Sequence, residues 1–365
     1  MNTFTFTGQS VTNQPLKWLL EGVRETFTEQ GYTYLSTPRD ESKLVFHLLD
    51  PNSPRPFRRK AQGTFVVSIV ETNTPPQDIH KEAYPYLIRS LANHLMYIVH
   101  GKEEIKLYFL TPEQGNYSLT FDPVKKDKQI FQQIFERLEP LASSQLVIDN
   151  DFFEDLPETL WSGDDITQSL GASGKKLDGM NLLPAPFPLD EVLSQRDIRH
   201  LKKLYGIGGL SYGNLSARKN ENNFWMSASG IDKSKMRKVG KDFLYISGYD
   251  EEKNAMNVSI PPSVTPKRAS VDAIEHWMIY REHPEVGAIV HIHAWMDGIE
   301  ATECNYPCGT VELAESVARL VSESENPSRT VIGLKNHGLT ITGTDLDDIF
   351  ERIDGKIIPQ VPMQA

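Results

Sequence analysis

Three histidines in this chain have the residue type and spacing of a metal site: His291 and His293, two residues apart, and His337 within Lys335-Asn336-His337-Gly338. The first pair closes the apolar stretch Val286-Gly287-Ala288-Ile289-Val290-His291-Ile292-His293. Its β-branched run reads as a buried strand, and side chains at i and i+2 of a strand share a face, so both imidazoles point the same way. Two imidazoles on one face close on a borderline-soft divalent ion once a third ligand arrives from a neighbouring element. His337 is placed to be that ligand. It follows a second short apolar run, Thr330-Val331-Ile332-Gly333-Leu334, and precedes Gly338, where a tight backbone lets the ring face a cleft. Three protein ligands leave a coordination position for chemistry. A His-x-His pair alone is a weak motif, and the third histidine is what gives it weight.

The elements that must position these residues carry further polar groups. Gly213-Asn214 and Ser229-Gly230 lie in Gly/Ser/Asn-rich turns whose backbone N–H groups can converge on an anion. Ser270 reads as the N-cap of a helix carrying Trp277 and Tyr280, and a helix N-terminus is itself an anion site. Asp272 falls in the first turn of that helix, where the macrodipole favours a carboxylate whatever its role.

From roughly Leu189 to Thr344 the chain resembles the class II aldolase/adducin family. The landmarks run in family order: Gly213-Asn214-Leu215-Ser216, Ser227-Ala228-Ser229-Gly230, Ser270-Val271-Asp272, His276 through Tyr280-Arg281, Pro284, Val286-Gly287-Ala288, His291-Ile292-His293, Gly309-Thr310 with Leu313-Ala314, and Asn336-His337-Gly338-Leu339. The resemblance implies a three-layer α/β/α fold with a mostly antiparallel central sheet. It also implies Zn2+, or alternatively Mn2+ or Co2+, on the three histidines, and substrate phosphate held by the turns with Asn214, Ser229 and Ser270. Homo-oligomers, commonly tetramers, follow from the same likeness.

Asp272 stands where the aldolases of this family carry an acid/base glutamate. In the ribulose-phosphate 4-epimerase branch an aspartate at this place is a fourth metal ligand, so the resemblance leaves both roles open. Tyr306, just before Gly309-Thr310, lies near where the aldolases have a proton-donating tyrosine from the neighbouring subunit. Three departures bear on activity. Val271 replaces what is commonly a second phosphate-binding serine. The segment from His293 to Gly309 is shorter than in the aldolases. Only a short tail follows Gly343, with one helix expected over 345–353 and no counterpart of the catalytic C-terminal tyrosine of the epimerases.

The 365 residues suggest about two domains: an α+β domain over 1–150, a linker over 151–188 and the aldolase-like domain over 189–365. In the first domain the periodicity predicts helices over 16–27, 84–99 and 130–141 and strands over 44–49, 64–70, 105–110 and 117–121. Arg55-Pro56-Phe57-Arg58-Arg59-Lys60 reads as a solvated hairpin loop. Leu170 to Lys176 lacks the spacing of a phosphate loop and reads as linker, with a short helix over 165–170 and Gly, Ser and Pro density continuing through Pro184, Pro186 and Pro188.

A net charge of −11 argues against broad nucleic-acid binding, and no apolar run is long enough to span a bilayer. No signal peptide is visible, and the two cysteines, Cys304 and Cys308, read as free thiols, which together point to a reducing cytoplasm. A Lewis acid beside a movable carboxylate suits retro-aldol cleavage, epimerisation or dehydration, all of which pass through stabilised oxyanions. The expectation is a metal-dependent, aldolase-type lyase acting on a small phosphorylated sugar or polyol through a metal-stabilised enediolate. The alternatives are an epimerase or dehydratase of the same family, or a non-catalytic, adducin-like binding protein.

Overall fold

A computed structural model describes residues 2–11, 13–61, 63–101, 103–111, 115–122, 124–125, 128–182, 189–204 and 213–363. In chain order its elements are β1 (Thr3–Gly8), α1 (Gln14–Glu29), β2 (Thr33–Leu35), β3 (Leu44–Leu48), β4 (Phe65–Thr72), α2 (Ile79–Ser90), β5 (His94–His100), β6 (Ile105–Thr111), β7 (Gly115–Phe121) and α3 (Gln129–Ser143). Then come β8 (Asp149–Phe153), α4 (Asp165–Gly179), α5 (Leu189–Val192), α6 (Gln195–Leu204), β9 (Gly213–Asn220), β10 (Asn223–Ser227), β11 (Phe243–Asp250) and β12 (Ala255–Ser259). The chain continues through α7 (Ala273–Glu282), β13 (Ala288–Ile292), β14 (Glu300–Ala301), α8 (Val311–Glu323), β15 (Val331–Leu334), β16 (Gly338–Gly343) and α9 (Leu346–Ile353). Among the described residues three single-turn 3-10 segments lie between them, one of them Lys233–Lys235. No helix among the described residues is long and apolar enough to cross a membrane.

The chain divides into two compact units. The first takes residues 1–144, 187–204 and 363–365, the second 145–186 and 205–362. The first unit is built on a sheet of order β2-β1-β3-β4-β5-β6-β7, parallel from β2 to β5 and antiparallel from β5 to β7. That mixed sheet replaces the α+β arrangement expected. The apolar residues 95–99, taken as the end of a helix, form β5: Leu91 in the left-handed region at φ 52° ends α2 and starts the strand. A continuous apolar run has the same signature in a buried strand and a buried helix, so periodicity alone does not separate them. Arg59, from the expected solvated cluster, is half-hidden instead and donates to the carbonyls of Thr64 and Leu91 and to Asn93 Oδ1.

The second unit carries the histidines. Its sheet runs β14-β15-β16-β13-β9-β10-β11-β12-β8, antiparallel through the middle six pairings and parallel at both edges, and so mixed as a whole. One face buries Phe224, Met226, Leu244 and Ile289 with the apolar sides of α7 and α8; the other buries Trp225, Tyr245, Val290 and Ile341 with those of α4 and α9. Helices on both faces of one sheet are the three-layer solution to covering two apolar surfaces.

The expected linker is not one. Residues 149–153 pair with β12 as edge strand β8, and α4 runs a full 15 residues through the Leu170–Lys176 stretch. The glycines there punctuate nothing: a Cβ at Gly174 would lie 2.3 Å from the Lys233 carbonyl oxygen, so the residue is small because the backbones touch. Pro184, Pro186 and Pro188 lie outside the described residues. The boundary at 189 also shifts, since 187–204 belong with the first unit, where Arg89 on α2 grips Asp197 on α6 at 2.8 and 2.9 Å. A bidentate fork of this kind is the strong form of such a contact.

Candidate metal centre and active site

β13 is a central strand with every residue buried, and it ends at Ile292, so His291 leaves its face and His293 follows one residue beyond. His337 arrives on the turn between β15 and β16, where Asn336 sits in the left-handed region at φ 58°. The three rings form a near-equilateral triangle with centroids 5.2, 5.0 and 5.1 Å apart. One ligand nitrogen from each lies within 4.8 Å of the others, and among the described residues this is the one such grouping of histidine, cysteine or carboxylate ligands found.

The donor set fits a divalent ion. His291 Nδ1 lies 3.0 Å from the Leu339 carbonyl, which fixes the proton on Nδ1 and turns the Nε2 lone pair inward. His291 Nε2 and His293 Nδ1 are buried with no hydrogen-bond partner, a costly state for polar atoms that nothing satisfies. Burial pushes all three histidines down, His337 to about 3, so they are neutral and able to ligate near neutral pH.

Asp272 is 5 % exposed and lies outside that nitrogen cluster, with both oxygens engaged. Asn214 Nδ2 donates to Oδ2 at 2.6 Å, Ser270 Oγ to Oδ2 at 3.2 Å, and the Cys308 thiol to Oδ1 at 2.9 Å. The sheet register explains the placement: Asn214 on β9, His291 on β13 and Thr340 on β16 are directly paired neighbours, so their side chains form one row under α7. Burial alone would raise the Asp272 carboxyl. His291 and His337, when protonated, and the Cys308 bond outweigh it and hold the carboxyl well below the ordinary range. Hydrogen bonds donated by Asn214, Ser270 and Cys308 also favour the ionised form of a carboxylate.

The remaining expected residues scatter around this row. Ser270 is not the N-cap: α7 begins after Asp272, two residues later, whose side chain makes no capping bond, and the serine hydroxyl donates to that carboxylate. Asn214 Nδ2 likewise binds Ser270 Oγ and Asp272, while its Oδ1 is buried without a partner. In the turn after β10 the Ser229 N–H already donates to the Arg268 carbonyl, and Lys267 Nζ rests 3.2 Å from the Gly230 carbonyl. Gly213 opens β9 opposite Ile292. Tyr306 is half-buried and packs against the apolar cluster shared by α7 and α8.

Several buried polar contacts escape sequence reasoning. Lys233 is 2 % exposed and pushed down to about 8 by burial, although a lysine after Asp232 reads as solvated. His276 and Tyr280 share the buried Ser216 hydroxyl at 2.7 and 2.8 Å. Glu275 is 2 % exposed and bonded by the Thr340 hydroxyl. The even burial of α7 leaves no polar face to betray these residues.

Residues 198–354 match the family described as Class II Aldolase and Adducin N-terminal domain. This half of the chain is similar to a class II aldolase/adducin domain. A methylthioribulose-1-phosphate dehydratase of Leptospira interrogans is 33 % identical over 158 residues, 41 % of this chain and 59 % of that protein. An L-fuculose phosphate aldolase of Methanocaldococcus jannaschii is 25 % identical over 123 residues, 30 % of this chain and 68 % of that protein. A solved L-fuculose 1-phosphate aldolase overlaps with a TM-score of 0.37 at 19 % identity, covering 53 % of this chain and 82 % of that one. The matched residues 198–354 contain the three histidines, Asp272 and Asn214.

Glu275 makes a stability prediction. Burial, then the charge of Asp272, push its carboxyl up to about 8 from 4.5. The folded state therefore binds more protons than the unfolded one between those values. Its favourable contribution is complete below 4.5 and disappears as pH rises through 8. In chelator-stripped protein, Glu275→Gln is expected to be more stable than wild type by ~3 kcal/mol near pH 8.5 and close to it near pH 5, read by urea unfolding. A difference that does not vary with pH would contradict this.

Proposed function

We propose that the chain is a metal-dependent lyase of the aldolase type, acting on a small phosphorylated sugar or polyol. The observation that carries the reading is the triangle of neutral, buried imidazoles beside an ionised, fully buried Asp272 that hangs from the strand neighbour of His291. His291, His293 and His337 would hold the divalent ion, with Zn2+ favoured by three nitrogen donors and Mn2+ or Co2+ as alternatives. Bound there, it supplies Lewis acidity toward a substrate oxygen.

The chain's own residues do the rest. Asn214 and Ser270 orient Asp272, which takes a proton from the substrate and returns one, an exchange that needs an ionised carboxylate within reach of the reacting carbon or hydroxyl. Asn214 Oδ1, buried and unpartnered, is an acceptor for a substrate hydroxyl. Lys267, at the Gly230 carbonyl, brings positive charge to the turn where a phosphate would sit. The N-terminal unit, chiefly residues 1–144 with 187–204, serves as an accessory domain, and a homo-oligomer places Tyr306 beside a neighbouring site.

Dehydration of the same class of substrate is the second reading, favoured because the dehydratase is the more similar in sequence of the two curated relatives. Mass spectrometry separates them. Zinc-loaded protein is incubated with ketose and aldose phosphates, including L-fuculose 1-phosphate and methylthioribulose 1-phosphate. Cleavage yields two carbonyl fragments, and dehydration yields one product lighter by a water. Consumption of none of them would count against both readings.

A further inference from the structure

We propose that Cys308 is a positioning residue for Asp272, locking the carboxylate oxygen that Asn214 and Ser270 leave unheld; the inference rests on the lyase reading for its consequence in turnover. Asn214 and Ser270 both bind Oδ2. That leaves rotation about the carboxyl open unless Oδ1 is also fixed, and the Cys308 thiol, 2.9 Å away, fixes it.

The thiol is delivered by a turn with little freedom. Gly309 sits at φ 75°, and a Cβ there would lie 2.5 Å from Val271 Cβ, so the turn lies directly on the residue beside Asp272. The Gly309 carbonyl accepts from Val147 N at 2.8 Å, the Val311 N–H donates to the Gln145 carbonyl at 3.0 Å, and Thr310 Oγ1 donates to the Pro307 carbonyl at 2.7 Å. Thr310 also caps α8 through Leu313 N. Bonds to the Pro307 carbonyl before Cys308 and at Gly309 and Val311 after it therefore set where its sulfur can be.

Val271 gains a purpose in this arrangement. Its branched side chain contributes no hydroxyl, but it is the surface on which Gly309 rests, so it sets the height at which the neighbouring thiol meets Asp272. The two cysteines then differ in kind: Cys304 is exposed, whereas Cys308 is half-buried and bonded to a buried carboxylate.

The test needs no substrate. Iodoacetamide labelling, followed by peptide mass spectrometry, is timed at both cysteines in full-length wild type and Asp272→Ala, with Cys304 as the internal reference. Cys308 should label more slowly than Cys304 in wild type and speed up relative to it by about tenfold or more in the variant, the factor expected for loss of one charge-assisted hydrogen bond. Equal relative rates in the two proteins would overturn the proposal.

Because Asp272→Ala leaves a buried void, Cys308→Ser and Cys308→Ala provide a second arm on an intact carboxylate. Cys308→Ala should lower kcat about tenfold with KM and metal content unchanged, and Cys308→Ser should recover most of it, since a hydroxyl can donate as the thiol does. Equal loss in serine and alanine variants, or a loss in KM alone, would overturn it. A labelling difference without turnover on any sugar phosphate would leave the Cys308–Asp272 lock standing and remove the lyase reading. Turnover that ignores both variants would do the reverse.

Discussion

His291→Ala is expected to weaken Zn2+ binding by more than about 100-fold, since losing even an outer-shell partner of a metal ligand costs about 10- to 100-fold. His291 is the ligand most firmly built into the fold. It is 1 % exposed, it lies on the fully buried β13, and its Nδ1 is tied to the Leu339 carbonyl across the β13–β16 pairing. Alanine removes one nitrogen from a three-nitrogen set and leaves the other two rings 5.1 Å apart with nothing to close the triangle. Competition with a chelator of known affinity reads the change, and far-ultraviolet circular dichroism checks that the sheet persists. Turnover on any accepted substrate should disappear with the ion. A variant that binds zinc as wild type does would mean that the three histidines are a satisfied structural cluster.

Asp272→Asn is expected to reduce kcat by about 10²- to 10⁴-fold while KM moves little and metal content stays at the wild-type level. The substitution keeps the shape and the polar character of a group 5 % exposed and takes away its basicity. The split between kcat and metal content decides between the two roles the family offers. Asp272 lies outside the nitrogen cluster, with Oδ2 held by Asn214 and Ser270 and Oδ1 by Cys308, a geometry suited to moving protons. Loss of the ion together with activity would instead make Asp272 a ligand.

The grouping of the three histidines was legible in the sequence because its signals are local. His291 and His293 obey the two-residue repeat of a strand, and Ala288 to Val290 are β-branched or small enough to mark that strand as buried. Asp272 and Asn214 were singled out through the order of family landmarks, and the structure joins them by a hydrogen bond. What was not legible depends on contacts between distant elements. The Ser270 hydroxyl turned to Asp272 instead of capping α7 because Asn214, 56 residues away in sequence, closes the same cluster. Glu275 and Lys233 look like surface charges until the sheet row and the short turn at 233–235 bury them.

The same distinction holds for the fold. β3, β4, β6 and β7 were read from their own residues, as were α1, α3 and α9, the last with its Asp345 cap. The length of α4 was missed because Gly and Ser punctuate loops in most sequences, and here Gly174 is instead a point of backbone contact; β8, Asp149–Phe153, was missed because its Asp-Asn-Asp-Phe-Phe sequence has no apolar–polar alternation. The parallel order of the first sheet depends on which strands cross over to which, and no residue type encodes that choice.

The measurement that tests the account most directly is the metal content of wild-type protein purified without a histidine tag, by inductively coupled plasma mass spectrometry. The account predicts about one divalent ion per chain, most of it zinc, held by the one three-histidine set found among the described residues. No ion as isolated, and none taken up when zinc, manganese or cobalt is added, would contradict it and leave the aldolase domain as a binding module without a metal centre.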